Sequence, residues 1–432
     1  MSIASFFELK KHKTSFKIEA LASFSTFLTM SYIIFVNPSV LSQTGMDAGA
    51  VFVATCLAAA LGSAMMGLFA NYPIVLAPGM GLNAYFTYSV VLGSGHSWQV
   101  GLGAVFISGL IFLALSILPI REYIIHSIPK SQKIAIVTGI GLFLGMIGFK
   151  NAGLIKSHAE TLLTLGNLHR PETILAISGF FLMIALDALN VMGAVVISIL
   201  SISAIGIALG HGHLLGVFAM PPSLMPTFFQ LDLKSALNLG LLTIVFAFLF
   251  VDLFDNTGTL IGIAHRAGLM DINGRMPRMN RVLIADSLAA IFGSLLGTST
   301  TTSYVESAVG VRVGGRTGLM AVVVAFLFLL ALFIAPLAQS IPIYATAPAL
   351  VYVACMMARA FSEIDWDEIT EYVPALITAL TMPLAFSVAD GIAFGLISWV
   401  AIKFLSGRFR ELNVTVILLA LAFVAKYVWL GH

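Results

Sequence analysis

Residues 101–119 read GLGAVFISGLIFLALSILP, and residues 318–336 read GLMAVVVAFLFLLALFIAP. The two stretches share about half their letters in a register 217 positions apart. A second pair, Leu57–Gly67 (LAAALGSAMMG) and Leu288–Gly297 (LAAIFGSLLG), recurs in the same order. In so apolar an alphabet either match alone is weak, but two in one order mark an internal repeat. Its meaning depends on the number of apolar runs between copies. Runs fall at 18–37, 50–71, 82–93, 99–119, 132–149, 171–188, 192–210, 238–262, 281–297, 304–311, 318–338, 344–360, 371–388 and 390–405. That makes fourteen, with 413–430 left over as an interfacial helix or a further span. The matches link the second run with the ninth and the fourth with the eleventh. Seven is odd, so the copies enter a membrane from opposite faces. An inverted repeat of this kind is the design of secondary transporters, with a site near the midplane where the repeats meet.

Composition forces the membrane reading. Apolar residues make up 59% of the chain and charged residues 10%, where soluble chains sit near ~45–50% and ~25%. The runs are continuous, which excludes the alternating ~10-residue segments of a β-barrel. A net charge of +2 gives no electrostatic footprint for nucleic acid. Cys56 and Cys355 lie inside apolar runs and imply no disulfide framework. Lys10, Lys11, Lys13 and Lys17 form a short basic tail rather than a cleavable signal. If that tail is cytoplasmic, so are the loops carrying Arg121, Lys130 and Lys133; Arg266, Arg275, Arg278 and Arg281; Arg312 and Arg316; and Arg408 and Arg410. Loops on the other side hold few basic residues, as the positive-inside rule requires.

Two runs, 82–93 and 304–311, are far short of the ~20 residues a spanning helix needs. Each follows an extended, helix-poor stretch: YPIVLAPGMG at 72–81 and GTSTTTS at 297–303. Irregular backbone at membrane depth survives only where protein buries it or it lines a cavity. These segments are therefore the first site candidates. Four acids are expected at depth: Asp252, Asp255, Asp286 and Glu306. Each costs at least ~2.5–3.5 kcal/mol at the bilayer centre, so they need partners or a cavity. Asn83 stands 223 positions before Glu306 and is its repeat counterpart, a neutral donor and acceptor suited to a polar heteroaromatic ligand. Tyr85, Phe86 and Tyr304 are able to stack on a planar ligand, although single aromatics in such a chain more often pack. No basic residue is expected deep in a span, and the acidic run Glu363, Asp365, Asp367, Glu368, Glu371 reads as a solvated loop. GVRVGGRTG at 310–318 lacks Walker spacing. With no zinc spacing and no nucleophile–base pair, an enzyme is not expected, nor is any cofactor or metal. A proton motive force would supply the energy.

Three stretches carry a family likeness: LAPGMGLNAYF (76–86), VDLFDNTGTLIGIAHRAGL (251–269) and GTSTTTSYVESAVGVRVGGRTGL (297–319), joined by TFLTMSYIIFVNP (26–38). They resemble the AzgA-like branch of the nucleobase–ascorbate transporter (nucleobase:cation symporter-2) superfamily, whose members are guanine, hypoxanthine and adenine permeases. The likeness runs along essentially the whole chain. It implies an all-α polytopic membrane protein with the uracil-transporter fold, fourteen spans in a seven-plus-seven inverted repeat. Residues 18–120 and 238–340 would form a core domain, 121–237 and 341–410 a gate domain, with 411–432 a C-terminal hydrophobic segment. It also implies proton-coupled import of purine nucleobases by a multi-pass protein of the plasma (bacterial inner) membrane, with a homodimer as a further expectation. Substrate would be held by Asn83, Asp252 and Glu306, with Phe86, Tyr304, Thr302 and Ser303 beside them. Glu306, Asp255 and Asp286 are the proton-coupling candidates. An ionised Asp252 only accepts hydrogen bonds, which suits the N1–H of guanine and hypoxanthine, and the family's adenine-preferring members look to carry Asn there. Guanine and hypoxanthine are thus expected. Adenine is the alternative within the family, and an anion transporter sharing the fold is the more distant one.

Overall fold

The computed structural model describes residues 3–117, 127–238, 242–270 and 276–429, without the side chains of residues 254, 255, 257, 258, 261 and 429. Arg121 and Arg275, counted above toward orientation, fall outside these residues. Every one of the fourteen apolar runs forms helix. Nine helical segments among the described residues are long and apolar enough to cross a membrane. The first run is broken in two, Phe16–Met30 and Ile33–Leu41.

The two short runs behave as their lengths demand. Met80–Ala84 is α-helical and passes into a π-helix at Tyr85–Gly93, while the tenth run supplies only Ser307–Val313. Each follows a strand. Four short strands occur in order: β1 (Leu76–Pro78), β2 (Ile155–His158), β3 (Leu162–Leu165) and β4 (Thr301–Ser303). β2 and β3 form a local hairpin, whereas β1 pairs with β4, antiparallel, across the two halves of the chain. Pro78 keeps Ala77 out of the α region, and three consecutive β-branched threonines favour extended backbone in β4. At the centre of the ladder Ala77 faces Thr302, 225 positions apart. That offset lies within the 217–231 range of the sequence repeat. Equivalent residues facing each other across an antiparallel pair are what an in-plane two-fold axis produces.

Helix packing interleaves the halves in two groups. In the first, Met279–Leu296 packs on Ala48–Met65 and Trp98–Ile117, Gly318–Ala331 on Ala48–Met65, and Leu242–Arg266 on Trp98–Ile117. In the second, Ile343–Ala358 packs on Lys130–Asn151 and Pro171–Ala188, and Ile369–Leu384 on Lys130–Asn151. Small residues permit this, because lipid supplies no hydrophobic drive between helices and association rests on close approach. At one crossing, Gly67 on Gly318, backbone meets backbone. A Cβ on Gly318 would lie 2.1 Å from the Gly67 carbonyl oxygen, and a Cβ on Gly67 2.4 Å from that of Gly318.

Two expectations need correction. Lys403 has a fully buried side chain, ion-paired with Glu371 at 2.7 Å and Glu411 at 2.5 Å. A buried cation is tolerated because two carboxylates meet it. The acidic run at 363–371 is accordingly only partly a solvated loop. Glu368 accepts from the Thr370 amide at the start of Ile369–Leu384 and pairs with Arg408 at 2.8 Å. The Thr370 donors and Arg408 hold its carboxyl down at about 2. The left-over run forms a helix, Val414–Trp429, laid on Val388–Leu405, with Lys426 and Tyr427 bonded to Asp390. At ~1.5 Å per residue its 16 residues fall short of the ~30 Å hydrocarbon core.

Because backbone rather than a rotatable side chain meets the added methyl, Gly318→Ala should destabilise the purified protein by about 1–3 kcal/mol. Gly262→Ala, where a Cβ meets nothing within 4 Å, should leave the melting temperature in detergent unchanged or slightly raised. Equal melting temperatures for the two variants would contradict this account of the crossing.

Candidate functional site

The paired strands place the site. The Gly79 amide donates to the Thr300 carbonyl (2.9 Å) and the Tyr304 amide to the Val75 carbonyl (2.9 Å), extending the ladder at both ends. Ser307 Oγ accepts from the Val75 amide (3.0 Å), and the Tyr304 hydroxyl donates to the Pro78 carbonyl (2.6 Å). Because the strands are antiparallel, the short helices that follow them leave in opposite directions, and their first residues meet at the ladder.

Three elements bring polar side chains to this point. Helix Leu242–Arg266 supplies Asp252 and Asn256, helix Met279–Leu296 supplies Asp286, and β4 supplies Ser303. The Asn256 amide nitrogen donates to both acids, at 2.8 Å to Asp252 Oδ1 and 2.6 Å to Asp286 Oδ2. Its carbonyl oxygen accepts the Ser303 amide (3.0 Å), while the Ser303 hydroxyl donates to Asp286 Oδ1 (3.2 Å). Asp252 is 2% exposed, and Asn256 and Asp286 are fully buried. The sequence candidates Asp252, Asp286 and Ser303 therefore converge, joined by a residue that sequence reasoning missed. Its signal was available: Asn256 lies four residues after Asp252 in DLFDN, on the same helix face. Asp255 belongs to this helix, with its side chain outside the described set.

Asn83 sits on the short helix packed against Leu242–Arg266. It is 1% exposed. Its Oδ1 accepts from the Ser299 hydroxyl, whereas its Nδ2 has no partner among the described residues. The Thr302 hydroxyl, also buried, likewise has none among them. A buried donor left unmet costs about 1–3 kcal/mol, so Asn83 Nδ2 offers a hydrogen to whatever acceptor enters. The aromatic candidates are placed differently. Phe86 is fully buried with its ring against Gly101, where a Cβ would lie 2.7 Å from it. Tyr85 meets Phe248 edge-on at 4.8 Å. Tyr304 uses its hydroxyl on Pro78, so it braces the strands.

Glu306 is half-buried at the start of the tenth-run helix, without capping it. The Tyr32 hydroxyl donates to its Oε1 at 2.8 Å. Beside it opens a cavity of about 490 Å³, lined by Tyr32, Asp187, Arg266, Glu306, Arg312 and Tyr352 among others, between the two helix groups. On the other side of the ladder the groups are in contact. The Ser89 hydroxyl donates to the Phe386 carbonyl (3.0 Å), Tyr88 lies edge-on to Phe386, and Asn151 Nδ2 donates to the Tyr88 hydroxyl (3.0 Å). A larger cavity of about 560 Å³, around Lys130, Glu371 and Glu411, touches none of these site residues.

A family model described as a permease family matches residues 17–394. The adenine permease AdeP of Escherichia coli is 49% identical, with 98% of this chain and 95% of that one aligned. The guanine/hypoxanthine permease PbuG of Bacillus subtilis is 42% identical over 98% and 99%. Among solved structures, the transmembrane domain of a cyanobacterial bicarbonate transporter, BicA, superposes with a TM-score of 0.62 at 16% identity, covering 85% of this chain and 96% of that one. At that identity the likeness concerns the fold. Matched along nearly its whole length by a permease model and by full-length permeases, and folded like a membrane transporter, the chain belongs to the permease family and is not an enzyme.

Proposed function

We propose that this permease imports purine nucleobases, coupled to protons, by alternating access. The observation that carries the purine reading is the pairing of a buried acceptor, Asp252, with a buried donor that has no partner among the described residues, Asn83 Nδ2, on helices packed together. A purine presents a ring N–H beside a carbonyl or ring-nitrogen acceptor, which meets both. The printed names of the relatives concern the same compounds: adenine for AdeP, guanine and hypoxanthine for PbuG. On this reading the first helix group (18–120 and 238–340) is the substrate-carrying core and the second (121–237 and 341–410) the gate. The cavity beside Glu306 then faces the cytoplasm, with the N-terminus inside, and the Tyr88–Phe386 contact closes the external route. An inward proton gains about 2.3 kcal/mol per 100 mV. Carboxylates have to carry it, and Glu306, Asp286 and Asp255 are the candidates.

Among purines, the accept-only Asp252 favours guanine and hypoxanthine, which offer N1–H where adenine has a lone pair. A facing lone pair leaves a buried group unsatisfied, at a cost of ~1–3 kcal/mol, or roughly 5- to 150-fold in affinity. Adenine is the second reading, favoured by the 49% identity to AdeP; its N6 amine reaches Asp252 if the base is shifted along the site.

Uptake of labelled purines in a transport-deficient strain decides between them. Guanine should displace labelled hypoxanthine better than adenine does, and adenine competing at least as well would establish the second reading. Asp252→Asn should move preference toward adenine, whereas equal loss of all purines would deny Asp252 a role in selectivity. A protonophore should abolish concentrative uptake. Glu306→Gln keeps shape and removes titration, so it should lower affinity or flatten the dependence of accumulation on pH. If neither changes, Glu306 is not part of the coupled site.

A further inference from the structure

The two buried acids meet at a single amide whose orientation is fixed. Asn256 Oδ1 faces the Ser303 backbone N–H, which can only donate, so Nδ2 must face the carboxylates, which in their ionised form can only accept. One –NH₂ group has two hydrogens, and here each acid takes one. A hydroxyl would have a single hydrogen, and an apolar side chain none. Asp286 draws a second donor from the Ser303 hydroxyl. Asn256 thus touches the substrate-side acid, the second acid and the backbone of β4.

We propose that Asn256 is a positioning residue that couples Asp286 to the binding site. The proposal rests on the purine–proton reading above. When Asp286 takes up a proton, its oxygen ceases to be a full acceptor, and the Asn256 –NH₂ keeps Asp252 as its ionised acceptor. Asp252 then faces its ligand with an altered hydrogen-bond partner, and the Ser303 hydroxyl loses a charged acceptor. Binding at Asp252 likewise alters what Asn256 offers to Asp286. Around Asp286 the other ionisable residues are Arg281 on its own helix, Asp252, Asp255 and, at the far end, His265 and Arg266 on Leu242–Arg266, Tyr304 and Glu306 beyond β4, and Cys56 on Ala48–Met65. Helix Trp98–Ile117 brings none.

The test separates exchange from accumulation. Full-length wild type, Asn256→Ala and the volume-conserving Asn256→Leu are reconstituted in proteoliposomes. Counterflow of labelled purine at saturating substrate is then compared with uptake driven by an imposed proton gradient. In both variants concentrative uptake should fall at least about tenfold further than exchange does, the scale of one lost hydrogen bond to a buried charge. Asn256→Ser keeps one donor and should lie between, and it serves as the test variant if the apolar ones do not fold. Exchange and accumulation falling together would reduce Asn256 to a structural residue, and unchanged accumulation would also overturn the proposal. A wild type that binds no purine would instead refute the substrate reading. The bridge is then still tested without ligand, since the carboxyl infrared bands of Asn256→Leu must differ from those of wild type. Identical bands would overturn it.

Discussion

The structure depends on how two interrupted helices satisfy their backbone in a place without water. Between Tyr72 and Gly79, and again between Thr298 and Tyr304, the chain leaves the helical ladder while remaining buried. Each unmet amide or carbonyl at membrane depth costs several kcal/mol. Neither stretch can satisfy itself, and no third strand is nearby. They satisfy each other. Three ladder positions, the flanking bonds to Thr300 and Val75, and the Ser307 and Tyr304 side chains join them, while Ser63 meets Leu76 and Asn256 meets the Ser303 amide. This pairing cannot form within one half of the chain, so the repeat is a folding requirement. The interleaved helices reinforce it, since Ala48–Met65 and Trp98–Ile117 find their partners in Gly318–Ala331 and Met279–Leu296.

The same pairing explains how buried acids are tolerated. Asp286 accepts from Asn256 and from Ser303, a residue that faces Leu76 in the ladder. Charge-assisted hydrogen bonds are worth about twice neutral ones, and here they come from groups already fixed by backbone geometry. Glu306 is held by Tyr32, from the break between the two first-run helices. Asp252, Asp286 and Glu306 each accept a hydrogen bond from a neutral donor: Asn256, Asn256 with Ser303, and Tyr32 respectively. Neutral donors leave the net charge of the site open to change, whereas Lys403, clamped between Glu371 and Glu411, belongs to a fixed structural network.

Much of this was legible because it rests on periodicity and length. The repeat, the two short runs and the extended stretches before them depend on run length and on Pro78 and the threonines, all visible as letters. Asp252, Asp286 and Glu306 were visible because acids are expensive in apolar runs. Asn256 was not, because an amide carries no comparable penalty and acquires its role only when two helices and a strand converge. Lys403 escaped for a related reason: it stands near a helix end, where basic residues usually reach water, and only the fold brings Glu371 and Glu411 over it. Phe86 illustrates the opposite limit, since a ring beside Asn83 in sequence is turned by the π-helix onto Gly101.

The ladder also constrains how such a protein can move. Asn83, Asp252, Asp286 and Ser303 are tied to one another through β1, β4 and the helices behind them, so their mutual geometry cannot change without breaking buried hydrogen bonds. Contacts between the two helix groups are of another kind. Near Phe386 they consist of one backbone carbonyl, one ring edge and one amide, and beside Glu306 there is open volume. Phe386 itself is held at φ +56, a conformation uncommon for a bulky residue and a small store of strain. Side-chain contacts of this kind break at less cost than the buried backbone ladder. On the proposed reading, motion between the groups is the inexpensive coordinate, and the binding residues travel along it as a rigid unit.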